Sequence, residues 1–397
     1  MLKVSLARTA LLPDRIRLAR YRKAPELGPK VLFFSGGTAL KTLSQKLIDY
    51  THNSIHIITP FDSGGSSAEI RRAFHMPAVG DVRNRLMALA DRSVHGNPAI
   101  YELFAHRLPK DREPAELAET LDRFIHGKVR LVREVPDPMR KIIRNHLGYF
   151  RDQMPEDFDL RGASIGNLIL AGGYFVNNRH IDPVVYLFSK LAEVRGTVRP
   201  VVARDLHLCA DLADGRRVLG QHNLTAKEAA PLDSPIKSLH LCRGLDDPAP
   251  ADVSIRDKVK SLIREAELIC FPIGSFYTSL LATLLPGGVG EAVAANDCPK
   301  VFVPNPGPDP EMLGLSLYGA VKALLATLQG TCAQEVSRGR LLNFVLVDSR
   351  LGAYPRPLEP EKIRRLGAEV LGLPLVSSQS APRVDDDLLI QSLLSLV

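Results

Sequence analysis

The segments Val31-Leu-Phe-Phe-Ser-Gly-Gly-Thr-Ala-Leu40 and Ile55-His-Ile-Ile-Thr-Pro-Phe-Asp-Ser-Gly-Gly-Ser-Ser67 each run from an apolar stretch straight into a glycine turn. Val31 to Phe34 is continuously apolar, which suits a parallel strand covered on both faces. In both segments small residues put unhindered backbone N–H groups and hydroxyls where a strand ends and a helix begins. That arrangement wraps an anionic group such as a phosphate. If the two turns end successive strands of one sheet, they flank a single crevice at the carboxyl ends of the strands. The expected ligand is phosphorylated, and this feature alone does not separate an enzyme from a sensor.

Outward from these turns the pattern continues as α/β. Further strands are expected at Thr197 to Ala203, Leu268 to Phe271, Lys300 to Val303 and Leu342 to Asp348. Helices are expected at Asp81 to Asp91 and Val253 to Ala266, with a closing amphipathic helix from Asp385 to Val397. The turn Ala213-Asp-Gly-Arg216 carries the Asp-Gly signature of a tight hairpin, so the sheet is expected to be mixed. Residues 1–29 read as a basic, acid-poor arm (Arg15, Arg17, Arg20, Arg22, Lys23) ending at Pro25 and Gly28-Pro29. It is either a solvated surface segment or a cover over a partner subunit or the ligand. Within the α/β domain of residues 30–397, about Glu113 to Pro155 reads as a helical insertion rich in cations (Lys128, Arg130, Arg133, Arg140, Lys141, Arg144). A lid, a docking face and a solvated scaffold all fit that pattern.

The 397 residues have ample chain for a large core, and the formal charge of +7 is modest for that length. No Lys/Arg block interleaves with aromatics, so no nucleic-acid partner is expected. The apolar run from Ile165 to Val176 is too short to span a bilayer and carries Asn167, and no signal-peptide pattern opens the chain. A cytoplasmic protein without a membrane partner is expected. Five scattered cysteines without a C-x-x-C pair argue for reduced thiols and against structural zinc.

Ser35-Gly-Gly-Thr-Ala-Leu-Lys-Thr42 ends like a Walker A loop, but the required glycines would fall at Ser35 and Leu40. Asp62 is the carboxylate nearest the crevice. It suits Mg²⁺ binding against phosphate oxygens or proton abstraction from a hydroxyl, and equally an Asx-turn. Asp81 reads as a helix N-cap, with Arg83 and Asn84 in the first turn where a guanidinium and an amide reach a phosphate or a base. His52 and His56 straddle a turn and a strand, which disfavours metal binding. No G-x-S-x-G elbow accompanies the histidines.

With these motifs in order, the chain resembles the 2-phospho-L-lactate transferase and gluconeogenesis-factor (CofD-like) family. The likeness rests on Gly36-Gly37-Thr38, Asp62 with Gly64-Gly-Ser-Ser67, Gly80-Asp81-Val-Arg-Asn84, Ser164-Ile-Gly-Asn-Leu168 and Gly274-Ser-Phe-Tyr-Thr-Ser279. It implies a Rossmann-like three-layer α/β sandwich with a mostly parallel central sheet, often dimeric. One branch of the family transfers a phospholactyl-type group from a nucleotide diphosphate donor to a deazaflavin hydroxyl with Mg²⁺. Another binds nucleotide sugars and regulates carbon metabolism or the cell envelope. The Gly-Gly-Ser-Ser, Gly-Asp-x-Arg-Asn and Gly-Ser-x-Tyr-Thr-Ser forms resemble the regulatory branch more closely.

Ser35, Ala39 and Ser63 depart from that pattern, and Ser63 replaces the second acid of an acidic pair. The resemblance implies phosphate contacts from Gly36, Gly37, Thr38, Gly64, Gly65, Ser66, Ser67, Gly274, Ser275, Tyr277 and Ser279, beside Asp81 and Gly166. Asn84, Asn167, Thr278 and Asn305 would select the base or conjugated group. Asp62 and Arg83 carry any catalysis, with Mg²⁺ held by Asp62. The resulting expectation is a transferase using a nucleotide diphosphate conjugate; a non-catalytic nucleotide-sugar sensor is the alternative. A dinucleotide oxidoreductase lacks its full G-x-G-x-x-G.

Overall fold

In the first strand, Leu32 and Phe34 enter one hydrophobic core while Val31 and Phe33 enter another, as the two-residue period of a strand buried on both faces requires. The computed structural model describes residues 9–91, 96–225, 230–355 and 357–397. Its strands are β1 Val31–Ser35, β2 Ile55–Ile58, β3 Thr197–Pro200, β4 His207–Leu212, β5 Arg217–Leu219, β6 Ile236–Cys242, β7 Leu268–Phe271, β8 Lys300–Phe302, β9 Phe344–Asp348 and β10 Glu369–Leu373. Seven of them form one sheet in the order β10-β9-β8-β7-β1-β2-β3, with every pairing parallel. Helices flank it, giving the expected layered α/β fold.

The hairpin does not join that sheet. β4 pairs with β5 across the Asp-Gly turn and with β6 on its other side, making a separate antiparallel sheet in the order β5-β4-β6. The large sheet is therefore wholly parallel, not mixed.

The two basic segments of the sequence are both tied down. In the amino-terminal segment, whose residues 1–8 lie outside the described residues, Arg15–Lys23 is a helix with Leu18 buried in the same core as the closing helix Asp386–Ser395. Its Asp14 N–H donates to Ser395 Oγ at 2.8 Å, and Arg17 donates to the carbonyls of Ser395 and Val397. The insertion forms helices Pro114–Ile125, Arg130–Arg133 and Met139–Gln153. Leu117, Leu121, Phe124, Ile143, Leu147 and Phe150 share a helical core with Ile165–Val176, each contributing roughly 1.5–3 kcal/mol through burial. Several of its cations are engaged locally: Arg144 Nε donates to the Ile125 carbonyl at 2.7 Å, and Arg130 pairs with Glu134 and, at 3.6 Å, with Glu102 outside the insertion.

Three of the five cysteines are buried and two half-buried, all free thiols. Among the described residues, no helix is long and apolar enough to cross a membrane.

Helices Met139–Gln153 and Ile165–Val176 meet at Gly172, where an added Cβ would lie 2.6 Å from the His146 carbonyl carbon. Backbone cannot yield there as a flexible side chain would. Gly172→Val is expected to lower the thermal midpoint by several degrees or abolish folding, whereas Gly148→Ala, with nothing within 4 Å of its Cβ, should not lower it. Circular dichroism melts of the two variants check this.

Candidate ligand-binding cleft

From β1 the chain builds outward through β2 to β3, then returns to place β7 on the other side of β1. The strand order thus reverses between β1 and β7, and a crevice opens beyond the carboxyl ends of strands at such a point. A cavity of about 310 Å³ lies there, walled by Gly36, Gly37 and Thr38 after β1 and by Gly274, Ser275 and Ser279 after β7. Asp62, Asp81, Asn84 and Gln221 complete the wall. A second cavity of about 220 Å³ adjoins it, sharing Asp62, Asn84 and Gln221 and adding Gly64 to Ser67, Arg83, Arg107, Asn167 and His222. All three glycine loops therefore reach one cleft, the first and third lining one cavity and the second the other, with Asp62 shared between them.

The helix Gly80–Leu89 supplies most of the charge. It begins at Gly80 with Val79 as N-cap and no side-chain cap bond, so Asp81 is not the cap the sequence suggests. Its carboxylate instead lies against the first glycine loop. A Cβ on Gly37 would sit 2.8 Å from the Asp81 Cα, and one on Gly36 2.7 Å from Ser279 Oγ. Gly37 is thus needed for the loop to approach the start of the helix Gly80–Leu89.

One turn further on, Arg85 is fully buried. Its guanidinium donates to the Leu40 carbonyl at 2.8 Å, to the Gly36 carbonyl at 3.0 Å and to Ser44 Oγ. Burial lowers its pKa to about 10 while Asp81 opposes that shift, so it stays charged at neutral pH. It is a fixed cation directly behind the loop expected to hold an anion.

Arg83 faces the second cavity. It donates to Ser164 Oγ and to Asn84 Oδ1, the latter at 2.6 Å, and no ion pair reaches it among the described residues. Burial first, then the neighbouring Arg107, pull its pKa down to about 10, against Asp81 and Asp62. A desolvated cation beside a second arginine and lining a polar cavity has the charge and free donors to pair with an anion. Asn167 is 1% exposed; its Nδ2 donates to Ser66 Oγ at 3.4 Å and its Oδ1 has no partner. That orphan acceptor requires a donor from a ligand or water.

Asp62 has both roles open to it. Its Oδ1 accepts from the Gly64 N–H at 3.2 Å, which is the Asx-turn, and the same side chain walls both cavities. Four other expected residues stand behind the cleft and line neither cavity. Gly166 makes room, since a Cβ there would meet the Phe104 carbonyl at 2.7 Å and Arg83 Cδ at 2.8 Å. Asn305 is a brace that accepts from Gly274 N–H at 3.0 Å and donates to its carbonyl at 2.7 Å. Tyr277 and Thr278 are buried, and their N–H groups donate to Glu311 Oε2 at 2.9 and 2.8 Å. Thr278 Oγ1 also donates to Glu311 Oε1 at 2.5 Å. The Phe276 N–H is taken by Asp309 at 3.0 Å. Internal carboxylates thus hold the amides that the third loop was expected to offer a phosphate.

Four residues escaped the sequence reading. Arg107, after the helix Pro98–Ala105, and Gln221 and His222, on the four-residue helix Gln221–Leu224, belong to no local motif, and Arg85 sits on an apolar helix face. Only Arg85 left a signal: it falls in register with Val82, Leu86 and Leu89. His56 is a fully buried core histidine stacked on Phe33, its pKa held well below 6.5 by burial and then by Arg85. Among the described residues no cluster of three or more His, Cys, Asp or Glu forms a metal cage.

Glu311 makes the cleft's scaffold sensitive to pH. Burial raises its pKa from 4.5 to about 7, against the hydrogen bonds it accepts. A carboxyl raised in the folded state favours folding below its ordinary pKa and loses that contribution as pH climbs through the folded value. Stability is therefore expected to fall between about pH 4.5 and 7 on this group's account, and Glu311→Gln should flatten that part of the profile. Thermal melts of both proteins from pH 5 to 8 measure it; parallel profiles would contradict the assignment.

The sequence profile of the family described as 2-phospho-L-lactate transferase CofD matches residues 31–373. The gluconeogenesis factor of Bacillus subtilis is 28% identical over 86% of this chain and 90% of its own length. A putative gluconeogenesis factor of a Nostoc species is 29% identical over 87% of this chain but 63% of its own, so the chain spans less than two thirds of that relative. Among solved structures, a member of the UPF0052 family from Bacillus halodurans superposes with a TM-score of 0.67 at 23% identity, covering 92% of this chain and 99% of the other.

Proposed function

The chain belongs to the 2-phospho-L-lactate transferase (CofD) family, and from that premise we propose that its cleft binds a nucleoside diphosphate carrying a conjugated group. One observation carries this reading: two glycine turns, two carboxylates and two arginines converge where the strand order reverses. The turns at Gly36 to Thr38 and Gly64 to Ser66 hold the diphosphate. Arg83 and Arg107 take a further anionic centre, and Asn167 Oδ1 accepts from a hydroxyl of the ligand. The buried charge of Arg85 backs the first turn.

Asp62 and Asp81 wall the same cavity, and Mg²⁺ is held by one or two carboxylates together with substrate phosphates, so the donor set fits that ion. Bound there, it would neutralise phosphate charge. In the transferase reading an acceptor hydroxyl attacks a phosphorus of the donor, its proton passing to the Asp62 carboxylate, and the P–O bond to the departing nucleotide breaks. The protein contributes positioning, with Arg83 balancing the charge that develops. The names of the relatives and the engagement of Asp62 in its own turn favour a second reading, a non-catalytic regulator using the same cleft.

Calorimetry with uridine and guanosine diphosphates and their sugar conjugates, with and without Mg²⁺, tests the common part. The wild type should bind at least one of them, and Arg107→Gln should weaken it about tenfold, the cost of a lost charged hydrogen bond. Failure of every nucleotide to bind contradicts the proposal. Asp62→Asn then separates the branches. A transferase loses turnover by orders of magnitude, a regulator loses only Mg²⁺-dependent affinity, and unchanged binding with and without Mg²⁺ removes the metal role.

A further inference from the structure

The short helix Gln221–Leu224, which follows the hairpin, brings His222 to the wall of the second cavity, which Arg83 and Arg107 also line. Its Nδ1 lies 2.8 Å from Ser63 Oγ, and its own backbone N–H donates to that same oxygen at 3.2 Å. Ser63 is buried, so its hydroxyl hydrogen needs an acceptor. A backbone N–H cannot accept, and among the described residues Nδ1 is the remaining hydrogen-bond partner of that hydroxyl. The serine therefore donates to Nδ1, and in the neutral ring the proton sits on Nε2. Nε2 has no hydrogen bond among the described residues. Gly220 leaves room for the ring: its φ is +88°, and a Cβ there would meet His222 Cε1 at 2.7 Å.

We propose that His222, its tautomer set by Ser63, donates an Nε2–H bond to an anionic oxygen of the ligand in the cavity of Arg83 and Arg107. This deepens the diphosphate reading of the cleft and rests on it. Serine at 63 decides the polarity of the contact. An aspartate there would draw a proton onto Nδ1 and leave Nε2 of the neutral ring as an acceptor, which repels a phosphate oxygen; a hydroxyl does the reverse. His222 is thus a ligand contact, and Ser63 is a positioning residue acting through it.

Two measurements test this. In ¹⁵N-histidine-labelled wild type, the neutral His222 ring should be the Nε2–H tautomer, and its Nε2 resonance should move when pyrophosphate or uridine diphosphate is added with Mg²⁺. Ser63→Ala should lose the tautomer preference without losing the circular dichroism of the fold. By calorimetry with the same probes, His222→Asn, whose amide reaches only the Nδ1 position, should bind about tenfold more weakly, and His222→Gln, which restores a donor near Nε2, should recover to within about threefold. A wild-type ring protonated on Nδ1, or asparagine and wild-type proteins binding alike, overturns the inference while leaving the cleft reading intact. A wild type that binds neither probe nor any nucleotide conjugate overturns both.

Discussion

The guanidinium of Arg85 joins the two halves of the site. It lies within the helix Gly80–Leu89 yet makes its hydrogen bonds to the loop after β1, on the carbonyls of Gly36 and Leu40. A buried cation is costly unless its donors are used; here the Leu40 and Gly36 carbonyls and Ser44 Oγ take up its two terminal nitrogens, while its Nε has no partner among the described residues. The helix is thereby fixed in rotation and height. Asp81, one turn away on the same helix, and Asn84, the residue before Arg85, are consequently delivered to the cleft, with Arg83 on the adjoining cavity. The same charge gives the glycine loop a positive backing without presenting a side chain to the ligand.

The three loops that look alike in sequence do different physical work. The first two line the cleft with small residues, and the second turns sharply through Gly65 at a φ of +48°. The third is closed from within: Asp309 and Glu311 occupy the amides of Phe276, Tyr277 and Thr278, as an anion would at a helix start. Its remaining contribution is the rim formed by Gly274, Ser275 and Ser279. A glycine-serine loop at a strand end is therefore an offer of N–H groups, and whether a ligand can take them depends on carboxylates some thirty residues away.

The parallel sheet was legible because its inner strands are unbroken apolar runs, as at Val31 to Phe34 and Leu268 to Phe271. Edge strand β10 was not, since Glu369 and Gly372 are exposed and the strand carries little apolar pattern. The Asp-Gly turn revealed which strands pair but not which sheet they join, and β6, with Lys237 and Ser238 exposed, gave no clear alternation. In the cleft, the helix-start pattern at Gly80-Asp81 located the element correctly and misassigned the side chain, because a sequence does not say which way a carboxylate points. Arg107 and His222 reach the cleft only through tertiary placement. Ser63 showed itself as a departure from the family pattern, and its partner on the hairpin's far side was invisible until the fold brought them together.

Amide hydrogen exchange with and without a bound nucleoside diphosphate tests the central claim most directly, because it reads each loop separately. The account predicts slowed exchange at residues 36–39 and 64–67 on ligand addition, with the amides of residues 276–278 protected already and unchanged. Protection appearing at 276–278, or confined to surfaces away from the ends of β1 and β2, would contradict it.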